Sequence, residues 1–316
     1  MPKQYQKTDI QQEVTNQIIN LLEQVDLKDY HPPFASLSSL GLPTNPVTDK
    51  AYQGINILSL WSHQQRKSFS SNRWATFKQW KDYCAQVRKG EKSSQIIFYK
   101  TLIKEEGEGA EKQDVKIPML KTYHVFNADQ VEGYIPEIEP LKDKIDQVKR
   151  IESVDLFCKQ TGAIIKHQGD GAYYNPLQDY IAIPETVHFQ NTPLADATEN
   201  YYSTLLHELT HWTGSKQRLD RKNDTQNTAK ENYAFEELVA ELGAAFLCAQ
   251  HQITQTQPKH HAIYIKSWLK ALKDNKAYIF KASAQANKAV DYLNTCLLYT
   301  SPSPRDQRGS RMPSSA

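Results

Sequence analysis

The stretch YYSTLLHELTHWTG, residues 201–214, contains two histidines four positions apart, with a glutamate directly after the first. On a helix, residues four apart lie on the same face one turn from each other, so the imidazoles of His207 and His211 can reach one ion. Glu208 is turned about 100° from His207, beside the ion. Two neutral histidine ligands, an open position for water and a carboxylate that takes a proton from that water are the parts of a zinc hydrolase. This spacing requires a helix through residues 200–212 and a second element that supplies a third ligand.

A second amphipathic segment, YAFEELVAELGAAFL at residues 233–247, offers that ligand. It contains Glu237-Leu-Val-Ala-Glu241, which resembles the ExxA[D/E] pattern of gluzincin peptidases. By that resemblance Glu237 is the third zinc ligand, and Glu241, one turn further, accepts a hydrogen bond from the free ring N–H of a histidine ligand. Glu236 is the competing candidate for the ligand. The alternative is a solvated charged face formed by these glutamates, although the residues around them are mostly apolar.

Charge is distributed unevenly along the chain. The segment from Lys50 to Lys104 has eleven Lys or Arg residues against two acids, a net charge of +9, so the rest of a chain with net charge +2 carries −7. This asymmetry indicates a polyanionic partner for one half of the protein. Aromatic residues are interleaved with the cations, and this combination is typical of surfaces that follow phosphates and stack bases of single-stranded DNA. A solvated basic face is the alternative.

Particular residues of this segment are candidates for such a surface. Trp74 is the leading stacking residue, Phe69 and Tyr52 are further stacking candidates, and helical spacing assigns Phe77 and Trp80 to the core. The glycine in VRKGEK predicts a turn between a helix and a strand that presents three cations together. The complete set of predicted DNA-binding residues is Arg66, Lys67, Arg73, Trp74, Lys78, Arg88, Lys89 and Lys92.

Patterning predicts an α+β protein of two domains. In the first, a mixed α/β domain over residues 1–140, a helix over 8–25 is expected with Thr8 as its N-cap. A loop rich in Pro and Ser follows, then helices over 54–65 and 76–87. The segments SSQIIFYK and LKTYHVFN are predicted strands, joined by a polar, exposed hairpin connection.

The second predicted domain covers residues 145–296, after a linker near 137–143. It begins with a helix over 148–160, continues with short strands at GAIIKH, GAYYN and DYIAIP, and then runs in long helices to Leu293. The two strands before the metal motif form either a sheet edge that pairs with an extended peptide substrate or a plain hairpin. Residues 297–316 are Ser-, Pro- and Arg-rich, and we expect them to be an unstructured, non-native tail.

Nothing in the sequence directs the protein to a membrane. No apolar run approaches the roughly 20 residues of a membrane helix. The first residues have neither the apolar core nor the small-residue cleavage site of a secretory signal. We therefore expect a cytoplasmic protein without a membrane partner.

Taken in order, the motifs resemble one family, the ArdC-type antirestriction proteins of plasmids and phages, which also provide the N-terminal region of TraC-type conjugative primases. The matching segments include RWATFKQWKDYCAQVRKGEK, YYNPLQDYIAIP, YYSTLLHELTHWTGSKQRLDR and YAFEELVAELGAAFL, and with others they cover most of residues 9–293. The resemblance implies an N-terminal domain that binds single-stranded DNA and a zincin-like (gluzincin) metallopeptidase domain with Zn²⁺, a small sheet and long helices. It further implies that the two domains together shield incoming foreign DNA from host restriction.

Three hypotheses follow for the function. The first is an active zinc peptidase that cleaves a host protein. The second is a non-catalytic protein that coats single-stranded DNA and whose zinc only stabilises the fold. The third is an accessory of priming, truncated from a longer TraC-type or polyvalent protein.

Overall fold

The computed structural model describes residues 9–25, 33–106, 113–135, 147–221, 227–256 and 263–300. The chain divides into two compact units. One contains the chain up to Gln17 together with Leu40–Glu139, and the other contains Ile18–Ser39 together with the chain from Pro140 onward. The expected linker at 137–143 lies outside the described residues, and the boundaries of the two predicted domains stay predictions.

The elements of the N-terminal half are short, apart from two helices and one long hairpin. In chain order they are α1 (Ile10–Glu23), α2 (Ala35–Ser38), β1 (Thr44–Asn45), β2 (Lys50–Ala51), α3 (Ile55–Lys67), β3 (Trp74–Ala75), α4 (Phe77–Asp82), β4 (Gln86–Val87), β5 (Ser94–Glu106), β6 (Gln113–Asn127) and β7 (Val131–Glu132).

Two of these elements correct the sequence-based expectations. Helix α1 is capped by Asp9, whose carboxylate accepts a hydrogen bond from the backbone N–H of Gln12 at 3.1 Å; Thr8, the expected cap, lies outside the described residues. The helix predicted over 76–87 ends at Asp82. Strand β4 follows because its two residues pair with the distant β7, with Val87 opposite Val131.

Strands β5 and β6 form an antiparallel hairpin that is longer than the sequence predicts. The pairing extends from Ser94 opposite Val125 to Glu106 opposite Gln113. Helix α3 packs on β5, where the Asn56 side chain donates to the carbonyl of Ile97 at 2.9 Å and accepts from its N–H at 2.8 Å. This pair of hydrogen bonds fixes the position of α3 along the hairpin.

The C-terminal half contains α5 (Gln147–Gln160), β8 (Ile164–His167), β9 (Tyr173–Asn175), β10 (Tyr180–Ile183), α6 (Ala197–Thr213), α7 (Ala229–His251), α8 (Ile265–Asp274) and α9 (Tyr278–Thr300). The strands form one sheet in the order β8-β10-β9, with β8 parallel and β9 antiparallel to β10. The predicted strands and helices of this half therefore occur. The last helix continues through Thr300, into the segment for which we expected no structure.

Helices α6 and α7 pack against each other around one close approach. A Cβ atom placed on Gly243 of α7 would lie 2.5 Å from Cγ2 and 2.6 Å from Oγ1 of Thr210 on α6. The Thr210 side chain is fully buried, and its hydroxyl donates to the Leu206 carbonyl at 2.9 Å. Glycine at 243 thus sets how closely the two helices cross.

None of the described helices is both long and apolar enough to cross a membrane.

We expect Gly243→Ala to lower the free energy of unfolding by about 1–3 kcal/mol, because the added methyl group overpacks the crossing. On an exposed helix surface the same change would stabilise by about 1 kcal/mol. Urea unfolding measures the difference, and Gly171→Ala, where an added Cβ meets nothing within 4 Å, is the matched control. Adding Thr210→Ala should recover part of the loss. A stabilised Gly243→Ala protein would contradict the packing account.

Candidate metal centre and nucleic-acid interface

Both helices that carry the metal motif begin at well-formed caps. Asp196 accepts a hydrogen bond from the N–H of Glu199 at the start of α6. Thr228 and Glu231 form a capping box at the start of α7, which satisfies two backbone donors that the helix leaves unpaired. Short polar side chains thereby fix where each helix starts, and with it which face carries each candidate ligand.

The crossing of α6 and α7 brings together His207, His211 and Glu237. One donor atom from each lies within 4.8 Å of the other two. The Nε2 atoms of the two imidazoles are 3.1 Å apart, and the Glu237 carboxylate oxygens lie 3.6 Å from His207 Nε2 and 3.7 Å from His211 Nε2. His207 and Glu237 are buried, with 1% and 4% of their surface exposed. Among the described residues this is the one group of three or more such donors.

The electrostatics of this group favour a positive charge at its centre. Burial by itself lowers the pKa of His211, but the surrounding carboxylates outweigh it and raise that pKa to about 9. They belong to Glu236, Glu237 and Glu208. Glu208 directly follows His207 in the chain and is also buried, with 7% of its surface exposed. Two imidazoles and a carboxylate, with further negative charge around them, fit a divalent metal cation.

Glu236, the competing candidate for the third ligand, has a different position. Its Oε1 lies 3.3 Å from Nδ1 of His211, the ring nitrogen opposite the one that faces Glu237. Arg221 donates to both oxygens of Glu236, from Nε at 3.0 Å and from Nη2 at 2.5 Å. Burial raises the pKa of Glu236, but its bonds to His211 and Arg221 outweigh burial and lower it. Glu236 is thus placed to orient the His211 ring.

Arg221 also ties the end of α6 to α7. Its Nη1 donates to Thr213 Oγ1 and its Nη2 to the carbonyl of Thr210, both at 2.6 Å. The side chain is only 5% exposed. The sequence analysis did not consider Arg221; its signal is a cation a few residues after the histidine motif, which a sequence alone does not distinguish from a surface arginine.

Glu241 is fully buried and accepts a hydrogen bond from the side-chain amide of Gln255 at 3.1 Å. Gln255 also donates to the backbone carbonyl of Glu241 at 3.1 Å. The expected role of Glu241, accepting from a histidine ligand, stays a prediction. For one of the two histidines, His211, a contact of this kind is made by Glu236.

Two neighbouring tyrosines, Tyr233 and Tyr264, lie close enough to the Glu237 carboxylate for it to add to the rise that burial causes in their pKa. Tyr233 lies one turn before Glu237 on α7 and packs edge-to-face on Tyr264, with ring centroids 5.7 Å apart. Desolvation, followed by the Glu237 carboxylate and Tyr264, raises the pKa of Tyr233. Tyr201 instead bonds to His167, at 2.9 Å. Of Tyr233 and Tyr264, the former also hydrogen-bonds to Glu237, so it is the better placed to act beside the candidate metal ligands.

The predicted DNA-binding cations differ in their exposure and in whether they form ion pairs with neighbouring carboxylates. Most are exposed: Arg66, Lys67, Lys78, Arg88, Lys89 and Lys92. Arg88 pairs with Glu91 at 2.9 Å and also donates to the backbone carbonyl of Asp129. Arg73 is half-buried and lies 3.7 Å from Asp49. These two arginines thus form local ion pairs, whereas the exposed lysines and Arg66 form none with other described residues. The assignment of all seven cations to DNA binding stays a prediction.

The expectation that Trp74 stacks on bases is wrong for this fold, since the side chain is completely buried. Strand β3 pairs with β6 and turns Trp74 into a cluster with Leu60, Ile96 and Val125. Tyr52 belongs to the same cluster, and its hydroxyl donates to the Trp74 carbonyl at 2.8 Å. Burial of both rings removes them from the set of stacking candidates.

Phe77, which we assigned to the core, is 49% exposed. It is the first residue of α4, after the N-cap Thr76, and Trp80 takes the buried position one turn further. The Trp80 indole N–H donates to the Phe126 carbonyl at 3.0 Å. Trp80 is buried as expected.

Two family models match the chain. The model described as the N-terminal domain of anti-restriction factor ArdC matches residues 8–126, and the model described as a zincin-like metallopeptidase matches residues 152–285. The protein y4eC of Sinorhizobium fredii is 36% identical over 293 residues, which cover 91% of this chain and 92% of that protein. A DNA primase TraC of Escherichia coli is 37% identical over 269 residues, but these cover 80% of this chain and only 17% of the primase.

Solved structures agree with the family models. The metal-free crystal structure of antirestriction protein ArdC from plasmid R388 has a TM-score of 0.73 and 37% identity, covering 92% of this chain and 99% of that one. The Mn(II)-bound structure of the same ArdC has a TM-score of 0.69 and 39% identity, covering 92% and 98%. The fold and site thus define an α+β protein with an ArdC N-terminal domain and a zincin-like metallopeptidase domain, which confirms the predicted fold class. The chain belongs to the ArdC family of antirestriction proteins.

We expect Glu236→Ala to lower the free energy of unfolding by about 2 kcal/mol, because it leaves the buried Arg221 guanidinium without its carboxylate partner. Urea unfolding in the presence of EDTA measures this without a contribution from metal. Glu152→Ala, at an exposed glutamate of α5, is the control and should change stability by less than about 0.5 kcal/mol.

The same variant should bind a divalent metal about 10- to 100-fold more weakly, the usual cost of removing a group that orients a ligand. If Glu236→Ala instead abolished binding, as loss of a ligand does, the assignment of Glu237 over Glu236 would be contradicted.

Proposed function

We propose that this protein protects DNA entering a cell from restriction, with one domain that binds single-stranded DNA and one that is a zinc-dependent peptidase. DNA binding is assigned to residues 1–140 and metal chemistry to residues 145–296. The observation that carries the hydrolase part is the convergence of His207, His211 and Glu237 within 4.8 Å. A protein with this role acts in the cytoplasm, where restriction enzymes meet incoming DNA.

In this proposal His207, His211 and Glu237 are the metal ligands. Two imidazoles and one carboxylate are a catalytic zinc set, which leaves a coordination position open to water or substrate. A divalent ion held there supplies Lewis acidity. The Mn(II)-bound structure of the R388 protein supports a divalent ion in the family, and zinc is our assignment from the ligand types.

The protein groups around the ion divide the remaining work. Glu208 takes a proton from the attacking water and passes it to the leaving amine, as a general base and then a general acid. Glu208 directly follows His207 on the same turn of α6, so the base would lie beside an ion held there. Glu236 keeps the His211 ring in one orientation, and the Tyr233 hydroxyl is available to stabilise charge on the substrate oxygen. A host protein is the proposed substrate.

Support for DNA binding comes from the N-terminal family match and from charge. The ArdC N-terminal model covers residues 8–126, which include the whole segment of net charge +9. Lysines at 67, 78, 89 and 92 and Arg66 are exposed there. Cations of this number bind a phosphate backbone without sequence preference, as a protein that must coat any incoming strand requires.

A second candidate is a non-catalytic role in which the metal stabilises the fold and DNA binding alone protects. In a third candidate role, the chain acts as an accessory domain of a primase. The third is favoured by one observation: the chain matches the TraC primases over 80% of its own length but over only 17% and 24% of theirs.

Glu208→Gln separates catalysis from coating. Loss of the general base should reduce the chemical step about 10²- to 10⁴-fold while all three metal ligands remain. We therefore expect plasmid transfer into a restricting recipient to fall to the level of a strain without the protein. Metal content and affinity for single-stranded DNA should stay unchanged.

The control is Glu152→Gln, which removes a carboxylate from exposed α5 and should protect fully. If the Glu208→Gln protein protects as well as the wild type, proteolysis is not required and the coating role is correct.

The DNA-binding proposal predicts a salt-dependent affinity. For single strands, the slope of log K against log salt is about −0.7 per phosphate contacted. Replacing Arg66 and Lys67 together by Gln should weaken binding and make that slope shallower by about 1.4. Fluorescence anisotropy with a labelled single strand, repeated at several salt concentrations, measures both quantities.

The matched control replaces Lys266 and Lys270, two exposed lysines on α8 of the other unit, by Gln. These changes should leave the slope as it is. Equal effects of the two double variants would contradict an assignment of DNA binding to the N-terminal unit.

A further inference from the structure

The N-terminal unit has a groove beside α4 that the predicted DNA-binding set only touches. Its volume is about 610 Å³, within the usual range of ligand sites. The apolar residues that line it are Phe77, Val87 and Phe126, and the polar ones include Arg88, Lys89 and Glu132. Aromatic and cationic side chains therefore share one concave surface.

Phe77 is not needed to complete the core. Phe77 is the first residue of α4, directly after the capping residue Thr76. The residue of α4 that enters the hydrophobic core is Trp80. The Phe77 ring is 49% exposed and rests edge-to-face on the half-buried Phe126, with centroids 6.4 Å apart and planes at 70°. A second ring thus supports Phe77 from one side while about half of its surface stays open.

The lining of the groove carries two cations, Arg88 and Lys89, and two carboxylates, Glu91 and Glu132. Arg88 and Glu91 form an ion pair, so Lys89 is the further cation of the lining, and Lys81 lies one turn after Phe77 on α4, outside the lining. Both lysines are exposed. The negative charge of Glu132 disfavours a phosphate next to it, so the phosphates of a bound strand would contact the lysines instead. An aromatic face beside lysines is complementary to a base with its attached phosphate.

Gly90 forms the turn that carries Lys89 at the groove. Gly90 has φ +89°, a conformation that side chains with a Cβ rarely adopt, and it lines the groove directly after Lys89. The backbone N–H of Glu91 bonds to the carbonyl of Arg88 at 3.3 Å and closes the turn. Lys89 is therefore presented on a defined turn.

We infer that this groove binds a nucleobase of single-stranded DNA, with Phe77 as the stacking residue and Lys89 as the contact to the adjoining phosphate. The inference rests on the proposed DNA-binding function and deepens it, because it assigns the stacking role to a residue outside the predicted set. Phe77 replaces Trp74, whose ring is buried.

The test is the affinity of the full-length protein for a fluorescein-labelled oligo(dT) of about 16 nucleotides, a length that spans a typical single-strand site. Phe77→Ala should weaken binding on the order of 10-fold, the usual effect of losing one stacked base. Phe77→Leu keeps an apolar contact with Phe126 but has no aromatic face, so it should lose a similar factor. Phe77→Tyr should bind within about twofold of the wild type.

Phe98→Ala is the matched control. Phe98 is 47% exposed, lies in the same unit and packs edge-to-face on Tyr123, but it does not line the groove. Its replacement should change affinity less than about twofold. Equal losses from Phe77→Ala and Phe98→Ala, or no loss from either Phe77 variant, would overturn the inference.

Salt dependence separates stacking from phosphate contact. Phe77→Leu should leave the slope of log K against log salt unchanged, whereas Lys89→Gln should make it shallower by about 0.7. A wild-type protein that does not bind the oligonucleotide contradicts the proposed function itself. If the wild type binds and the Phe77 and Lys89 variants bind equally well, the proposed function stands but the groove does not bind DNA. The groove would then be a surface for a protein partner.

Discussion

The close crossing of α6 and α7 is the constraint on which the metal centre depends. Gly243 has no side chain where it meets Thr210, so the helices approach closely enough for residues on each to share one centre. His207 and His211 come from α6 and Glu237 from α7, and their donor atoms lie within 4.8 Å. Packing thus creates a site that neither helix has alone, and the free energy of helix packing holds the donors in place before any ion arrives.

Charge at this centre is balanced by residues on both helices and on the segment between them. The carboxylates around His211 raise its pKa to about 9, and Arg221 offsets part of their negative charge through Glu236. Arg221 also bonds to the last turn of α6. One buried arginine therefore links the orientation of a candidate ligand to the geometry of the helix crossing.

The sequence predicted best what depends on local spacing. The helices α6 and α7 and the strands before them follow from periodicity, and the HExxH spacing fixes which imidazoles face the same side. The roles of adjacent residues were harder to predict. Glu236 and Glu237 differ by about 100° around α7, and only the packing of α6 against α7 shows that Glu237 faces both histidines.

Burial of aromatic residues could not be predicted for the same reason. Trp74 and Phe77 both lie among cations and both fit a core or a surface. The pairing of β3 with the distant β6 buries Trp74, and the start of α4 at Phe77 turns that ring outward. Long-range pairing decides the position of Trp74, and no local pattern contains it. The position of Phe77 depends on where α4 begins, which the capping box of Thr76 and Gln79 sets.

The most direct test of the central claim is a crystal structure of the zinc-loaded protein, with anomalous differences collected on both sides of the zinc edge. The account predicts one strong anomalous peak per chain, bonded to an imidazole nitrogen of His207, one of His211 and a carboxylate oxygen of Glu237 at about 2.0–2.2 Å. A peak coordinated by other side chains, or none at this crossing in a protein that binds zinc, would contradict it.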